Sequence, residues 1–142
     1  MRCCNLFQAF SLIAFSALLF ADASGPFSEA PFSKAQSDRG AGVYRDKCSA
    51  CHGAQLNGGD HAPPLRDEAF WQEWDGKAAR ALYSRIITTM PPDDAGSLAE
   101  KEVIDLIAYL VASRGVPAGP KSIEHADQLN SIKLEQPRQA GR

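Results

Sequence analysis

The chain has 142 residues, 44% of them hydrophobic and 23% charged, with a formal net charge of −2. That suits one domain with spare ends and the composition of an ordinary globular protein. The charge balance argues against nucleic acid as a partner, which needs clustered Lys and Arg, and no internal repeat divides the chain.

Residues 1–23 differ from the rest. Arg2 precedes an uncharged run, "LFQAFSLIAFSALLFA", from Leu6 to Ala21; "ADAS" follows, with Ala21 and Ala23 spaced as a cleavage site requires. We read a secretory signal peptide cut after Ala23, in preference to an uncleaved membrane anchor, whose length the run nearly reaches. Cys3 and Cys4 would leave with it, so the mature chain keeps Cys48 and Cys51 and has no stable membrane insertion. Residues 24–36, "SGPFSEAPFSKAQ", read as a linker.

The folded domain is expected over 37–117. Its first helix can be capped by Ser37 or Asp38 and stopped by Gly53. Gly40, Tyr44, Cys48 and Cys51 are spaced by four, four and three, which puts them on one helical face. Glycine on a packed face costs helix stability, so Gly40 implies another backbone approaching closely.

That helix runs into "DKCSACHGAQ". Four chemistries compete for Cys48, Cys51 and His52. A thioredoxin-like redox pair wants a strand before it and a βαβ unit around it, and no convincing strand precedes Cys48. A structural zinc site wants a second ligand pair, which the sequence lacks downstream. A plain disulfide explains neither the spacing nor the histidine. Covalent haem attachment explains both: two thiols add to the haem vinyl groups, and the adjacent histidine reaches the iron.

Beyond the motif, 54–74 form a long loop rich in Gly and Pro, which a small domain packs most easily against a large apolar cofactor. Leu65, Phe70, Trp71, Leu82, Ile86 and Ile107 are expected to wall it. "DEAFWQEW" predicts a short helix capped by Asp67. Lys77 to Thr88 predicts an amphipathic helix with Leu82 and Ile86 inward. Met90 follows in "TTMPPDD" and is the only methionine besides Met1. A thioether is a weak neutral ligand, so the protein must hold it at low entropic cost, and Pro91 and Pro92 stiffen its loop. Met90 is therefore the candidate sixth ligand, against the plainer reading of a gap-filling core methionine. His61 and His125 read as solvated histidines. In the last helix Ser97 and Glu100 form an S-x-x-E capping pattern. Val103, Leu106, Ile107, Leu110 and Val111 repeat at helical spacing, and Gly115 and Pro117 end it. Leu106 and Tyr109 are expected across Gly40 and Tyr44. Residues 118–142 read as a poorly ordered tail, in preference to a segment that Ile123, Leu129, Ile132 and Leu134 lay against the domain or dock on a partner. Little in the chain alternates as a strand would.

Residues 37–117 resemble the class I cytochromes c. Gly40 and Tyr44 match the family's glycine and aromatic before the first haem cysteine, and Leu106 and Tyr109 match its C-terminal pair. "APPL" matches the stretch whose proline carbonyl meets the haem histidine, with Pro63 as the expected residue. The resemblance implies an all-α fold in which N- and C-terminal helices cross beside one covalently bound haem c. It implies Cys48 and Cys51 as attachment points, His52 and Met90 as iron ligands, and Trp74 with its indole N–H toward a propionate. For Trp74 the alternative is core packing with a polar tip at the surface. Arg66, Arg80 and Arg85 are candidates for neutralising propionates.

With both axial positions filled the iron has no open site, and Met raises the potential by favouring ferrous iron. The expected function is therefore a periplasmic one-electron carrier, not an enzyme. The run from Leu56 to Leu110 looks most like bacterial cytochromes that accompany periplasmic dehydrogenases, often quinoproteins, which implies such a donor and an oxidase or another cytochrome as acceptor. Ala54, Leu56, Ala62, Met90 and Pro92 are expected around an exposed haem edge. A haem enzyme or ligand sensor would need a labile sixth position, and a haem-free thiol protein would show no haem spectrum.

Overall fold

The computed structural model describes residues 31–135; the expected signal peptide and its cleavage site lie outside them. Five α-helices follow in order: α1 (Lys34–Lys47), α2 (Ser49–His52), α3 (Glu68–Trp74), α4 (Ala79–Thr89) and α5 (Glu100–Ala112). A 3-10 turn, Ala126–Asn130, comes after them. Among the described residues there is no strand, only two isolated bridges, Ser33 with Gly119 and Ala78 with Lys133. The fold is all-α.

The crossing of α1 and α5 is its centre. A Cβ built on Gly40 would stand 1.9 Å from the Asp105 carbonyl oxygen and 2.9 Å from Tyr109 Cβ. Only a residue without a side chain lets the two helices meet this closely. One turn on, the Tyr44 and Tyr109 rings lie 5.5 Å apart at 41°. Beside them Arg39 grips Asp105 with two bonds, Nε to Oδ2 at 2.6 Å and Nη2 to Oδ1 at 2.8 Å. The Asp105 side chain is only 4% exposed. Its charge is tolerated there because the guanidinium fork pairs both oxygens. Val103, Ile104, Leu106, Ile107 and Leu110 fill the core on the rest of α5.

Two helix starts differ from the sequence reading. Helix α1 begins at Lys34, capped by Ser33 and not by Ser37 or Asp38; Ser33 and Gln36 bond reciprocally in a capping box. Buried Phe32 precedes it as a core residue. Helix α5 begins at Glu100, and Glu102, not the Ser97–Glu100 pair, accepts the Ala99 N–H. Glu100 instead accepts the Ala126 N–H. Asp67 does cap α3, accepting the Phe70 N–H at 2.8 Å.

The larger difference is the tail. Residues 116–135 form an ordered strap along the helices. Ile123, Ala126, Leu129 and Leu134 are buried, Leu129 completely. The buried Gln36 side chain clasps Ile123 on both sides, donating to its carbonyl at 2.8 Å and accepting its N–H at 2.9 Å. The packed unit thus runs from Phe32 to Leu134, wider than the expected 37–117. Four apolar residues spread along a polar segment carry no helical or strand period, which is why the sequence reads as a tail.

Candidate haem site

The end of α1 delivers the motif. Cys48 closes α1 and opens α2, its N–H bonded to the Tyr44 carbonyl at 2.9 Å. Cys51 and His52 N–H groups both return to the Cys48 carbonyl. This single turn sets two thiols three positions apart, with the imidazole next to the second. Both thiols are free, Cys48 half-buried and Cys51 exposed. Burial, aided by Cys51, pushes the Cys48 thiol up to about 11, so it is held protonated at neutral pH.

Gly53 ends the turn at φ 79°, a conformation that side chains resist, and starts a loop that folds back on the motif. A Cβ on Gly59 would stand 2.9 Å from the Cys51 carbonyl oxygen, and one on Gly58 2.8 Å from the Pro64 nitrogen. The loop is tied by Gly58 N–H to the His52 carbonyl (2.8 Å), Gly59 N–H to Ala62 and Leu65 N–H to Leu56. It thereby brings the Pro63 carbonyl to 2.8 Å from His52 Nδ1. A carbonyl only accepts, so Nδ1 carries the proton and Nε2 keeps its lone pair for a metal. A second brace comes from α1: the buried Tyr44 hydroxyl donates to the Gly53 carbonyl at 2.5 Å.

Met90 caps the C-terminal end of α4. Its N–H donates to the Ile86 carbonyl at 2.9 Å, its side chain is half-buried against the core, and the Met90–Pro91 peptide is cis. Leu82, Ile86, Ile107 and Trp71 are buried, with Leu65 and Phe70 packed against them. Trp74 is half-buried with the Lys77 ammonium 5.2 Å from its ring centre. Trp71, not Trp74, has the indole N–H that is buried without a partner among the described residues. The Arg114 guanidinium lies 5.0 Å from the Trp71 ring centre. Arg80 stacks on Tyr83. Leu56 is a correction to the expected edge: it is 3% exposed, turned inward at φ 62°. Ala54 and Pro92 are exposed, and Ala62 is half-buried. His61 and His125 are exposed, His125 at the start of the 3-10 turn. No group of three or more His, Cys, Asp or Glu among the described residues could hold a metal ion by itself.

A family model described as cytochrome c oxidase, cbb3-type, subunit III matches residues 35–110, more than half of the chain. The chain belongs to this family. It is a c-type cytochrome, and covalently bound haem c is the cofactor the family implies. The solved structure of the sulfane dehydrogenase SoxCD from Paracoccus pantotrophus is similar in fold, with a TM-score of 0.53 at 19% identity. That match covers 69% of this chain and 52% of the SoxCD chain, so this cytochrome spans about half the length of that chain. No curated protein sequence matches it.

The residues present fit a haem. The donor set is two unbridged thiols, an imidazole whose Nδ1 is already engaged, and a half-buried thioether. The loop closes tightly enough over the motif that added Cβ atoms would collide. Sequence reasoning missed the Tyr44 hydroxyl and the Gln36 clasp. Their partners are backbone atoms, which carry no sequence signal.

Proposed function

We propose that this cytochrome is a one-electron carrier of the periplasm, with one haem c attached through thioethers to Cys48 and Cys51 and ligated by His52 and Met90. The observation that carries this reading is the 2.8 Å bond from His52 Nδ1 to the Pro63 carbonyl. It orients the ring and leaves the Nε2 lone pair as the ligand. The haem would supply reversible one-electron transfer. The chain's part would be to hold the group through His52 and Met90 in either redox state and to keep solvent from all but one edge. Met90 follows a rigid helix and precedes Pro91 and Pro92, which keeps a weak ligand in place at low entropic cost.

Residues 1–23 are proposed as the signal peptide that takes the chain to the periplasm, where haem attachment follows. Among the described residues no helix is long and apolar enough to cross a membrane. The electron donor is proposed as a periplasmic dehydrogenase, quinoproteins included, and the acceptor as an oxidase or another cytochrome. The uncharged residues Ala54, Ala62 and Pro92, with Asp60, Asp93, Asp94 and Lys47 in mixed sign nearby in sequence, suit a brief contact with modest long-range steering.

The experiment is the visible spectrum and intact mass of the protein matured in a competent periplasm. A mass for a chain starting at Ser24 with one bound haem, and a weak far-red Met–iron band, are expected. Met90→Ala should keep the haem, lose that band, lower the potential and admit carbon monoxide. His52→Ala, Cys48→Ser and Cys51→Ser should fail in assembly. A Met90→Ala protein with unchanged spectrum and potential overturns the ligation, and haem released by acidified organic solvent overturns the covalent attachment.

A further inference from the structure

The Met90 segment, 90–99, spans the gap between the end of α4 and the start of α5. Neither helix has a side-chain oxygen at its N-cap; the cap residues are Ala78 and Ala99. A helix start without a cap leaves backbone N–H groups needing partners. The strap provides them at α4. The Ile132 carbonyl accepts the Ala79 N–H at 2.8 Å, the first residue of the helix. The strap continues antiparallel to the approach to α4, with Leu134 N–H on the Lys77 carbonyl at 2.9 Å and Gly76 N–H on the Leu134 carbonyl at 2.7 Å.

At α5 the same strap is tied to the first residue: the Ala126 N–H donates to Glu100 Oε1 at 2.8 Å. Tyr83 on the buried side of α4 lies close to Glu100; burial first, then that carboxylate, raises its phenol pKa. Leu129, with no exposed surface, anchors the strap between these two ties. One segment therefore holds both helices that flank Met90, and it lies beyond the residues 35–110 that the family model matches.

We propose that the C-terminal strap, residues 119–134, is a positioning element for the sixth haem ligand, and that Ile132, Ala126 and Leu129 set how readily Met90 leaves the iron. The inference rests on Met90 being that ligand. A weak thioether bond dissociates when its helix moves away, and the strap's bond to Ala79 restrains the start of α4 alongside the packing of Leu82, Tyr83 and Ile86. Loosening of the strap is a local opening coupled to the site through a rigid helix. His52 is held by its own loop, so the strap acts on one axial position and not on the other.

The test is the rate at which imidazole enters the ferric, full-length holoprotein, a step governed by Met90 dissociation. Leu129→Ala empties the anchor of the strap; Val111→Ala trims a buried residue in the last turn of α5 and serves as a matched loss of stability. Leu129→Ala should speed entry about tenfold or more, while Val111→Ala at comparable loss of Tm stays within about twofold of the parent. Entry at the parent rate, or equal acceleration by both variants, overturns the proposal. If Leu129→Ala does not mature, Glu100→Ala removes the tie to Ala126 from an exposed residue; faster entry supports the strap's role and the parent rate overturns it. Met90→Ala separates the two readings. If it opens the iron while the strap variants change nothing, only the strap proposal falls. If it leaves spectrum and entry rate unchanged, Met90 is not the ligand and both fall.

Discussion

The two residues proposed as iron ligands, His52 and Met90, are held in different ways. His52 is fixed by near neighbours in sequence: its N–H on Cys48, its carbonyl on Gly58, its Nδ1 on Pro63, and the next carbonyl on Tyr44. Met90 has one local bond, to Ile86, and depends for its place on a helix whose start is tied to residues more than forty positions later. Local bonds open only by distorting their own turn. A helix held from far away swings when its distant tie opens. On the proposed ligation, the imidazole belongs to the permanent frame and the thioether to the exchangeable part.

The largest effect should come from breaking the frame. Gly40→Ala places a Cβ against the Asp105 carbonyl, where neither backbone can yield without separating α1 from α5. A loss of about 3 kcal/mol or more is expected, read as a fall in denaturant midpoint of the holoprotein. A variant as stable as the parent would mean that the crossing is looser than the geometry requires. Arg39→Ala should cost less, about 2 kcal/mol. It leaves Asp105 buried with only the Lys101 ammonium at 3.8 Å. Denaturant unfolding in parallel with Asp105→Asn/Arg39→Ala checks this. The double variant should recover part of the loss, because no buried charge then remains unpaired.

This asymmetry also decides what the sequence could tell. The His52 side was legible because its determinants are close together: the two cysteines, the histidine, and a proline eleven residues on. Gly40 was legible because a glycine that weakens a packed helical face is tolerated where a second backbone needs the space, and Asp67 because side-chain caps act three residues away. The strap was legible only as an alternative: Ile123, Leu129, Ile132 and Leu134 could lie against the domain, but nothing in the sequence said where. Its ties run through main-chain atoms of Ile132, Ala126 and Ile123, and any residue has those. Its anchors Leu129 and Leu134 show no period. The Ser97–Glu100 pattern misled for a related reason: Glu100 is drawn to the Ala126 N–H, a partner twenty-six residues off, and Glu102 serves the helix start instead. Leu56 misled because its positive φ turns it inward, which no local pattern announces.

Gln36→Ala sharpens the comparison from the strap side. Gln36 has no exposed surface, and its amide pairs both the N–H and the carbonyl of Ile123. Losing it leaves two backbone groups without partners in a buried place and removes half of the capping box of α1. About 1–3 kcal/mol is expected, lower than for Gly40→Ala because water can reach a strap that lifts. Hydrogen exchange should show where the loss falls. The amides of Ile123, Ala126 and Leu134 should exchange faster, while His52 and Gly58 keep their protection. Equal loosening on both sides would mean that His52 and Met90 share one frame.

The smallest effect tests the frame at its finest point. Tyr44→Phe keeps the ring that packs on Tyr109 and removes only the hydroxyl bonded to the Gly53 carbonyl. That carbonyl still accepts the Leu56 N–H, so it is not orphaned, and the expected cost is about 1 kcal/mol. The pH dependence identifies the hydroxyl itself. Burial, more than the nearby Cys48 and Tyr109, pushes the Tyr44 phenol up to about 12 in the folded chain, from an ordinary value of 10.0. Between those values the unfolded chain gives up the proton while the folded chain keeps it. Stability from this group is therefore complete below pH 10 and declines as pH rises toward 12. The difference in stability between parent and Tyr44→Phe should shrink over that interval, since phenylalanine has no proton to lose. A difference that stays constant from pH 8 to about 12 would place the Tyr44 hydroxyl in water and not on the Gly53 carbonyl.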